Sequence, residues 1–270
     1  MQVIEVWRLK VMKYTKIGGT QIEVSVVAFG AWAIGGLWWG GTDEKDSVEA
    51  IKASIESGIN FIDTAPAYGQ GLSEELVAKA IKGIRDKVVI ATKCGLRWDF
   101  KKGEYFFTYS SGLEFYRNLS KESIEYELDQ SLKRLKTDYI DIYQSHWQDS
   151  TTPISETMET FLNLKQKGKI RAIGVSNASL EQIKEYAKFG ILNTDQEKFS
   201  MLDRNVEAEI LPWCQANNVT LLAYSPMEKG LLTGKLDPER KFAKDDSRYG
   251  DNKFTAKNIS KVNMLMDKYL

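Results

Sequence analysis

Three polar side chains stand where apolar runs end, and a fourth lies in the loop after the first of them. Asp63 follows Asn60-Phe61-Ile62, Lys93 follows Val89-Ile90-Ala91-Thr92, and His146 follows Ile142-Tyr143-Gln144-Ser145. Tyr68 lies past Pro66 in the short stretch after Asp63, so its hydroxyl can fold back over the same rim. A Tyr, a Lys, an Asp and a His brought together make a proton-donating phenol. Free tyrosine has a pKa of about 10, too high for rapid donation near neutrality. A neighbouring ammonium stabilises the phenolate and lowers that value. Lys93 is the expected ammonium, Asp63 the group that holds it and keeps it charged, and His146 the donor that orients a substrate carbonyl. The implied chemistry is proton delivery to a carbonyl oxygen as hydride reaches its carbon. Taken singly, Asp63 and Lys93 also read as a structural ion pair, Tyr68 as rim packing, and His146, the sole histidine, as a satisfied polar group. At three successive strand ends and one loop they read together as a site.

The elements that must position them follow from periodicity. Short β-branched runs alternate with helical segments, the pattern of βα units around a parallel sheet. The strand candidates are Val24 to Phe29, Phe61 to Asp63, Val88 to Thr92, Tyr139 to Tyr143, Ala172 to Val175, Thr194 to Gln196, and Val219 to Ala223. Helix starts are expected at Asp46-Ser47-Val48-Glu49, Ser73-Glu74-Glu75 and Ser120-Lys121-Glu122-Ser123, with stops near Gly58, Gly83, Gly168 and Gly190. Tyr14 to Val24 reads as a hairpin with Gly18-Gly19 at its tip, placed to plug the bottom of a barrel. Gly95 to Leu119, rich in aromatics and without a clear period, is expected to be a loop at the opposite end, where barrels carry their active sites. No Gly-x-Gly-x-x-Gly turn follows the first strand, which favours a (β/α) barrel over a doubly wound sheet.

A length of 270 residues suits one such domain. Thirty-seven basic residues balance thirty-seven acidic ones, which leaves no global field for nucleic acid or an anionic membrane. Cys94 and Cys214 are far apart and lack metal-ligand or redox spacing, so no metal is expected and a reducing compartment fits. No apolar run matches a membrane span, and Glu5 and Arg8 interrupt the start where a signal peptide needs apolar residues. The protein is therefore read as cytoplasmic. Nothing in the sequence sets an oligomeric state.

In their local words the four residues resemble the aldo-keto reductase family. The words are Gly58-Ile59-Asn60-Phe61-Ile62-Asp63-Thr64-Ala65-Pro66-Ala67-Tyr68-Gly69, then Ala91-Thr92-Lys93, then Asp141-Ile142-Tyr143-Gln144-Ser145-His146-Trp147. The likeness continues through Gly174-Val175-Ser176-Asn177, Asp195-Gln196 and Ala223-Tyr224-Ser225-Pro226-Met227, and is strongest for the bacterial general-stress and inositol-utilisation branch. It implies a TIM (β/α)8-type barrel with an N-terminal hairpin, and NADPH, or NADH, as cofactor for a small-molecule carbonyl substrate. On matching positions it implies that Ser176, Asn177 and Gln196 bind the nicotinamide carboxamide and that Phe199 stacks on the ring. Trp32, Asp63 and Tyr224 would border the cofactor. Ser225, Pro226, Met227, Gly230 and Leu231 would cradle its pyrophosphate, with Lys235 and Arg248 adding charge. Trp32, Trp38, Trp39, Trp98 and Trp147 would ring the mouth, Trp32 and Trp147 being the foremost substrate contacts; the same aromatics could simply close the barrel top.

The family pattern asks for an eighth strand and helix after Ala256 to Leu270, which reads as the seventh barrel helix. Seven of eight βα units are thus expected, residues 12–270 forming one C-terminally incomplete barrel and residues 1–11 an N-terminal extension. That extension holds Val3-Ile4-Glu5-Val6-Trp7, whose alternation would also suit an edge strand. Three functions follow from this reading: an NADPH-dependent aldehyde or ketone reductase, a nucleotide-binding redox-sensing module, or an inactive truncated reductase fragment.

Overall fold

The computed structural model describes residues 12–109 and 111–269. The expected extension at residues 1–11 lies outside the described residues. In chain order the elements are β1 (Tyr14–Lys16), β2 (Glu23–Ser25), β3 (Phe29–Gly30), α1 (Glu44–Glu56), β4 (Phe61–Asp63), α2 (Leu72–Ala80), β5 (Val89–Cys94), β6 (Leu96–Arg97), β7 (Glu104–Thr108) and β8 (Glu114–Arg117). They continue with α3 (Lys121–Leu135), β9 (Ile140–Ser145), α4 (Ile154–Gln166), β10 (Ile170–Ser176), α5 (Leu180–Phe189), β11 (Thr194–Lys198), α6 (Ile210–Ala216), β12 (Thr220–Tyr224) and α7 (Ala256–Tyr269). Seven strands form one parallel sheet in the order β12-β11-β10-β9-β5-β4-β3, curled into a nearly closed α/β barrel with helices outside.

The period of two along each strand decides what faces inward. Phe61, Val89, Ala91, Ile142 and Ala172 point into the barrel and meet Ile17, Ile22 and Val24 of the β1–β2 hairpin, which closes the bottom as expected. The alternate residues Ile62, Ile90, Tyr143, Ile173 and Val175 face outward onto Leu76, Ile124, Leu128, Phe161 and Ile183 of the helices. The hairpin tip is tied in by Gly18, whose N–H donates to Thr220 Oγ1 at 2.8 Å and whose carbonyl accepts Asn193 Nδ2 at 2.9 Å. A Cβ on Gly18 would sit 2.0 Å from the Asn218 carbonyl oxygen, so only glycine fits there.

Several expectations are corrected. The run from Val24 to Phe29 is two pieces, because Ser25 N–H donates to Asn60 Oδ1 at 2.6 Å and ends the hairpin strand before the two-residue barrel strand β3 begins. α1 starts earlier than Asp46: Asp43 caps it by accepting the Asp46 N–H. Ser73 lies inside α2 rather than capping it, and donates its hydroxyl to the Ala31 carbonyl at 2.8 Å. Gly95 to Leu119 is a three-stranded antiparallel sheet, ordered β6-β8-β7, rather than an irregular loop. Its aromatics obscured any alternation because Phe106 and Phe107 straddle a register shift between Tyr105 and Phe107.

Candidate active site

The same alternation carries Asp63 and Lys93 to the inner rim, two residues above Phe61 and Ala91. Lys93 is 0% exposed. Its ammonium donates to both Asp63 oxygens, at 2.9 and 2.8 Å, and to the Thr64 carbonyl at 3.0 Å. Burial alone would push the ammonium toward neutrality, but the Asp63 carboxylate and the Tyr68 phenol outweigh it and raise its pKa. Asp63 also accepts Gln196 Nε2 at 2.8 Å from across the barrel. One carboxylate therefore links strands β4, β5 and β11 at the mouth.

Tyr68 reaches back over this pair, with Lys93 Nζ 5.3 Å from its ring centroid and the imidazole of His146 edge-on at 5.7 Å. The expected lowering of the phenol is overturned in net direction: burial is the largest influence and raises it, Lys93 pulls it down, and Asp63 raises it again. The phenol thus keeps its proton at neutral pH, held beside a cation that will favour the phenolate once the proton leaves. Burial, with Lys93 nearby, depresses His146 well below the usual histidine value, so the ring is a neutral imidazole. Its backbone is fixed by His146 N–H donating to Cys94 O at 2.8 Å and by Asn177 Nδ2 donating to His146 O at 2.9 Å. Tyr68 owes its place to Gly35, where a Cβ would lie 2.6 Å from the Tyr68 carbonyl carbon.

A polar ledge adjoins the four. Ser176 Oγ donates to Gln196 O at 2.8 Å, and Asn177, at a left-handed φ of 53°, donates Nδ2 to Ser176 Oγ at 3.1 Å. Tyr224 OH donates to Asn177 Oδ1 at 2.8 Å. A carboxamide fits this ledge, because Asn177 Oδ1 retains one lone pair and Gln196 retains an N–H and its oxygen. Phe199 adjoins the ledge through its N–H, which donates to Tyr224 O at 3.3 Å, and the Tyr224 hydroxyl brings a second aromatic ring beside Asn177. Sequence reasoning included Tyr224 without assigning it that place.

Beyond Tyr224 the chain turns through Ser225, Glu228, Lys229 and Gly230, all at positive φ, and a Cβ on Gly230 would meet nothing within 4 Å. Such left-handed turns present successive N–H groups to an anion. Pro226 and Met227 are exposed on it, while Leu231 is buried against Leu236, Phe254 and Ile259. Lys235 is exposed. Arg248, expected to meet a cofactor phosphate, is instead committed to Asp246 through Nε at 2.9 Å and a second nitrogen at 2.7 Å. Its guanidinium is also close to the rings of Trp39 and Phe242, which makes it a clasp for this loop rather than a free phosphate ligand.

The tryptophans divide. Trp32 lies 6.3 Å from the Tyr68 ring and 5.2 Å from Trp39, which puts it at the site. Trp38, Trp98 and Trp147 join Leu96, Phe106 and Phe115 in the apolar layer under the β6–β8 sheet, the Trp147 ring tilted against that of Phe106 at 5.0 Å. A cavity of about 470 Å³ opens beside the Tyr68 loop between Gly35, Gly69, Tyr109 and Asp245 and contains none of the four polar residues. Sequence reasoning missed Glu127 and Glu197, which hold site backbone from outside: Glu127 accepts the Gly95 N–H at 2.9 Å and Glu197 accepts the Ala178 N–H at 2.8 Å. For Glu197 the available signal was a charge at an outward, helix-covered position of a strand, as in Asp195-Gln196-Glu197; Glu127 lies on α3.

Comparison with known proteins agrees with this geometry. The chain is 48% identical over 245 residues to aldo-keto reductase YhdN of Bacillus subtilis, covering 90% of this chain and 70% of that protein. It is 42% identical over 264 residues to an NADH-specific methylglyoxal reductase of Escherichia coli, covering 96% and 80% respectively. Among solved structures, the glycerol dehydrogenase AKR11B4 from Gluconobacter oxydans superposes with a TM-score of 0.82 at 39% identity, over 95% of this chain and 76% of that one. No helix among the described residues is long and apolar enough to cross a membrane. The model of the aldo/keto reductase family matches residues 26–268, and with these likenesses it shows that the chain belongs to that family of oxidoreductases.

Proposed function

We propose that the chain reduces aldehydes or ketones to alcohols, with Tyr68 giving the proton and Asp63, Lys93 and His146 preparing it to do so. The reading is carried by one observation, the fully buried Lys93 ammonium locked by Asp63 and Thr64 beside the Tyr68 phenol. A reduced nicotinamide, when bound, supplies the hydride. The neutral His146 ring donates one N–H to the substrate carbonyl oxygen and orients it toward Tyr68. As charge develops on that oxygen, Tyr68 passes its proton over, and the alcohol forms with its new C–H and O–H bonds complete. The phenolate left behind is stabilised by Lys93, which Asp63 keeps charged. Ser176, Asn177 and Gln196 hold the carboxamide, Tyr224 borders the ring, and the turn from Ser225 to Leu231 receives the pyrophosphate. Trp32 supplies the apolar wall nearest Tyr68, and Trp147 follows His146 at the mouth.

NADPH is the cofactor the family resemblance implies, while the E. coli relative is named as NADH-specific. Comparison of kcat/KM for the two decides the preference. A cytoplasmic setting goes with this reading, since both cysteines are buried free thiols and the reduced cofactor pool lies there.

The test is oxidation of NADPH or NADH by the purified chain with a nitrobenzaldehyde and with methylglyoxal. Turnover is expected, and Tyr68→Phe should abolish it while cofactor quenching of protein fluorescence persists. Equal rates for the two proteins would refute the role of Tyr68. Cofactor binding without turnover on a broad carbonyl panel would favour the redox-sensing module instead.

A further inference from the structure

Asp195 and Glu197 stand two residues apart on the outward face of β11, while Gln196 between them points into the mouth and donates to Asp63. Asp195 is fully buried. Its Oδ2 accepts a long contact from Cys214 Sγ of α6 at 3.8 Å, and its Oδ1 has no donor. Glu197, two positions along the same strand, shares this outward face with Asp195, and Glu197 Oε1 accepts the Ala178 N–H at 2.8 Å. Two adjacent carboxylates in such a place repel each other and forgo hydration. One proton between them removes a charge and gives the orphaned Asp195 oxygen its partner.

The turn that Glu197 holds is the one that matters at the ledge. Asn177 sits there at a φ of 53°, a conformation a non-glycine residue keeps only when its surroundings impose it. From it Asn177 holds the His146 carbonyl and the Tyr224 hydroxyl. We propose that Glu197 is a positioning residue for the nicotinamide end of the cofactor, its carboxylate holding the Asn177–Ala178 turn, and that Asp195 keeps Glu197 in place by sharing one proton with it. This rests on the reading of Asn177 as a cofactor ligand.

Loss of the shared proton sets two like charges side by side and loosens the turn, so cofactor binding weakens as pH rises through that loss. Burial raises both carboxyls above their ordinary values; the Glu197 charge lifts Asp195 further, whereas the Ala178 N–H and Asp195 hold Glu197 lower than burial alone would. The other titratable groups bearing on the pair are Cys214 from α6 and Tyr224 from β12, each pushed up to about 12 and therefore neutral through the working range.

The experiment measures cofactor KM, kcat and cofactor Kd for the full chain with one aldehyde from about pH 6 to about pH 9, a window that spans raised carboxyls. For the unaltered chain, cofactor KM should climb roughly tenfold toward the alkaline end, the scale of one charge-assisted hydrogen bond, with kcat moving less. Asp195→Asn offers an amide donor without charge and should give a flat profile. Glu197→Gln keeps the acceptor for Ala178 and should also be flat. Glu197→Ala removes that acceptor and should raise cofactor KM roughly tenfold at every pH. The inference is overturned if Asp195→Asn keeps the alkaline rise, or if the variants lower Tm without moving the cofactor KM profile. Absence of both turnover and cofactor quenching in the unaltered chain would refute the reductase reading itself, and this inference with it.

Discussion

Replacing Asp63 by Asn should reverse the sign of the pH dependence that Lys93 contributes to stability. Lys93 is 0% exposed and Asp63 16%, so the ammonium has no access to water and depends on the carboxylate for compensation. In the unaltered chain its folded pKa is raised above the ordinary 10.5, because Asp63 and Tyr68 outweigh burial. Its stabilising share is therefore complete at neutral pH and is lost only as pH climbs through the folded value, above 10.5. In Asp63→Asn burial prevails and the folded pKa falls below the unfolded one. The unfolded chain then binds more protons between the two values, and the variant gains stability with rising pH at up to about 1.4 kcal/mol per pH unit. Breaking a buried pair from one side costs about 3–5 kcal/mol, so the deficit at pH 7 should be of that size. It should narrow steadily toward about pH 10, where the unfolded lysine loses its proton as well. Urea unfolding of both proteins at several pH values reads the deficit directly. A deficit that stays constant from about pH 7 to about pH 10 would refute the account of Lys93 as a cation held charged by Asp63.

Two further outcomes follow from the packing around the site. Glu127 is buried with one oxygen unpaired, and burial raises its pKa to about 7. Because the folded state holds that proton more tightly, the unaltered chain should lose on the order of 3 kcal/mol between about pH 4.5 and about pH 7, a loss that Glu127→Gln removes while keeping the Gly95 hydrogen bond. Urea midpoints at the two pH values check this, and parallel losses in both proteins would count against it. Gly35→Ala would press a Cβ against the Tyr68 carbonyl carbon at 2.6 Å and shift the phenol by a fraction of an ångström. Displacement of a reacting group by about 1 Å costs on the order of a hundredfold, so kcat should fall by at least about tenfold with cofactor Kd unchanged. An unaltered kcat would show that this contact does not set the Tyr68 position.

The strands that carry chemistry were legible because each is a short apolar run whose period of two survives in one dimension. Phe61, Val89 and Ile142 alternate with Ile62, Ile90 and Tyr143, and that phase alone sends Asp63, Lys93 and His146 to one rim. The barrel and its hairpin were legible for the same reason, with the tip glycines marking the turn. β6, β7 and β8 were not, since a sheet assembled from three short strands with a register shift has no continuous period to read.

Residue types and order thus determined the barrel, the four polar side chains and the kind of chemistry they support, since these depend on local periodicity and on words of adjacent residues. Tertiary structure decided what depends on distances between remote segments. It set the direction of the Tyr68 pKa, because burial is a property of everything packed around the phenol and outweighed the single cation that sequence could name. It brought Tyr224 to Asn177 and turned Arg248 onto Asp246. It also buried Asp195 on the same strand face as Glu197 and brought the Ala178 N–H of the Asn177 turn to the Glu197 carboxylate.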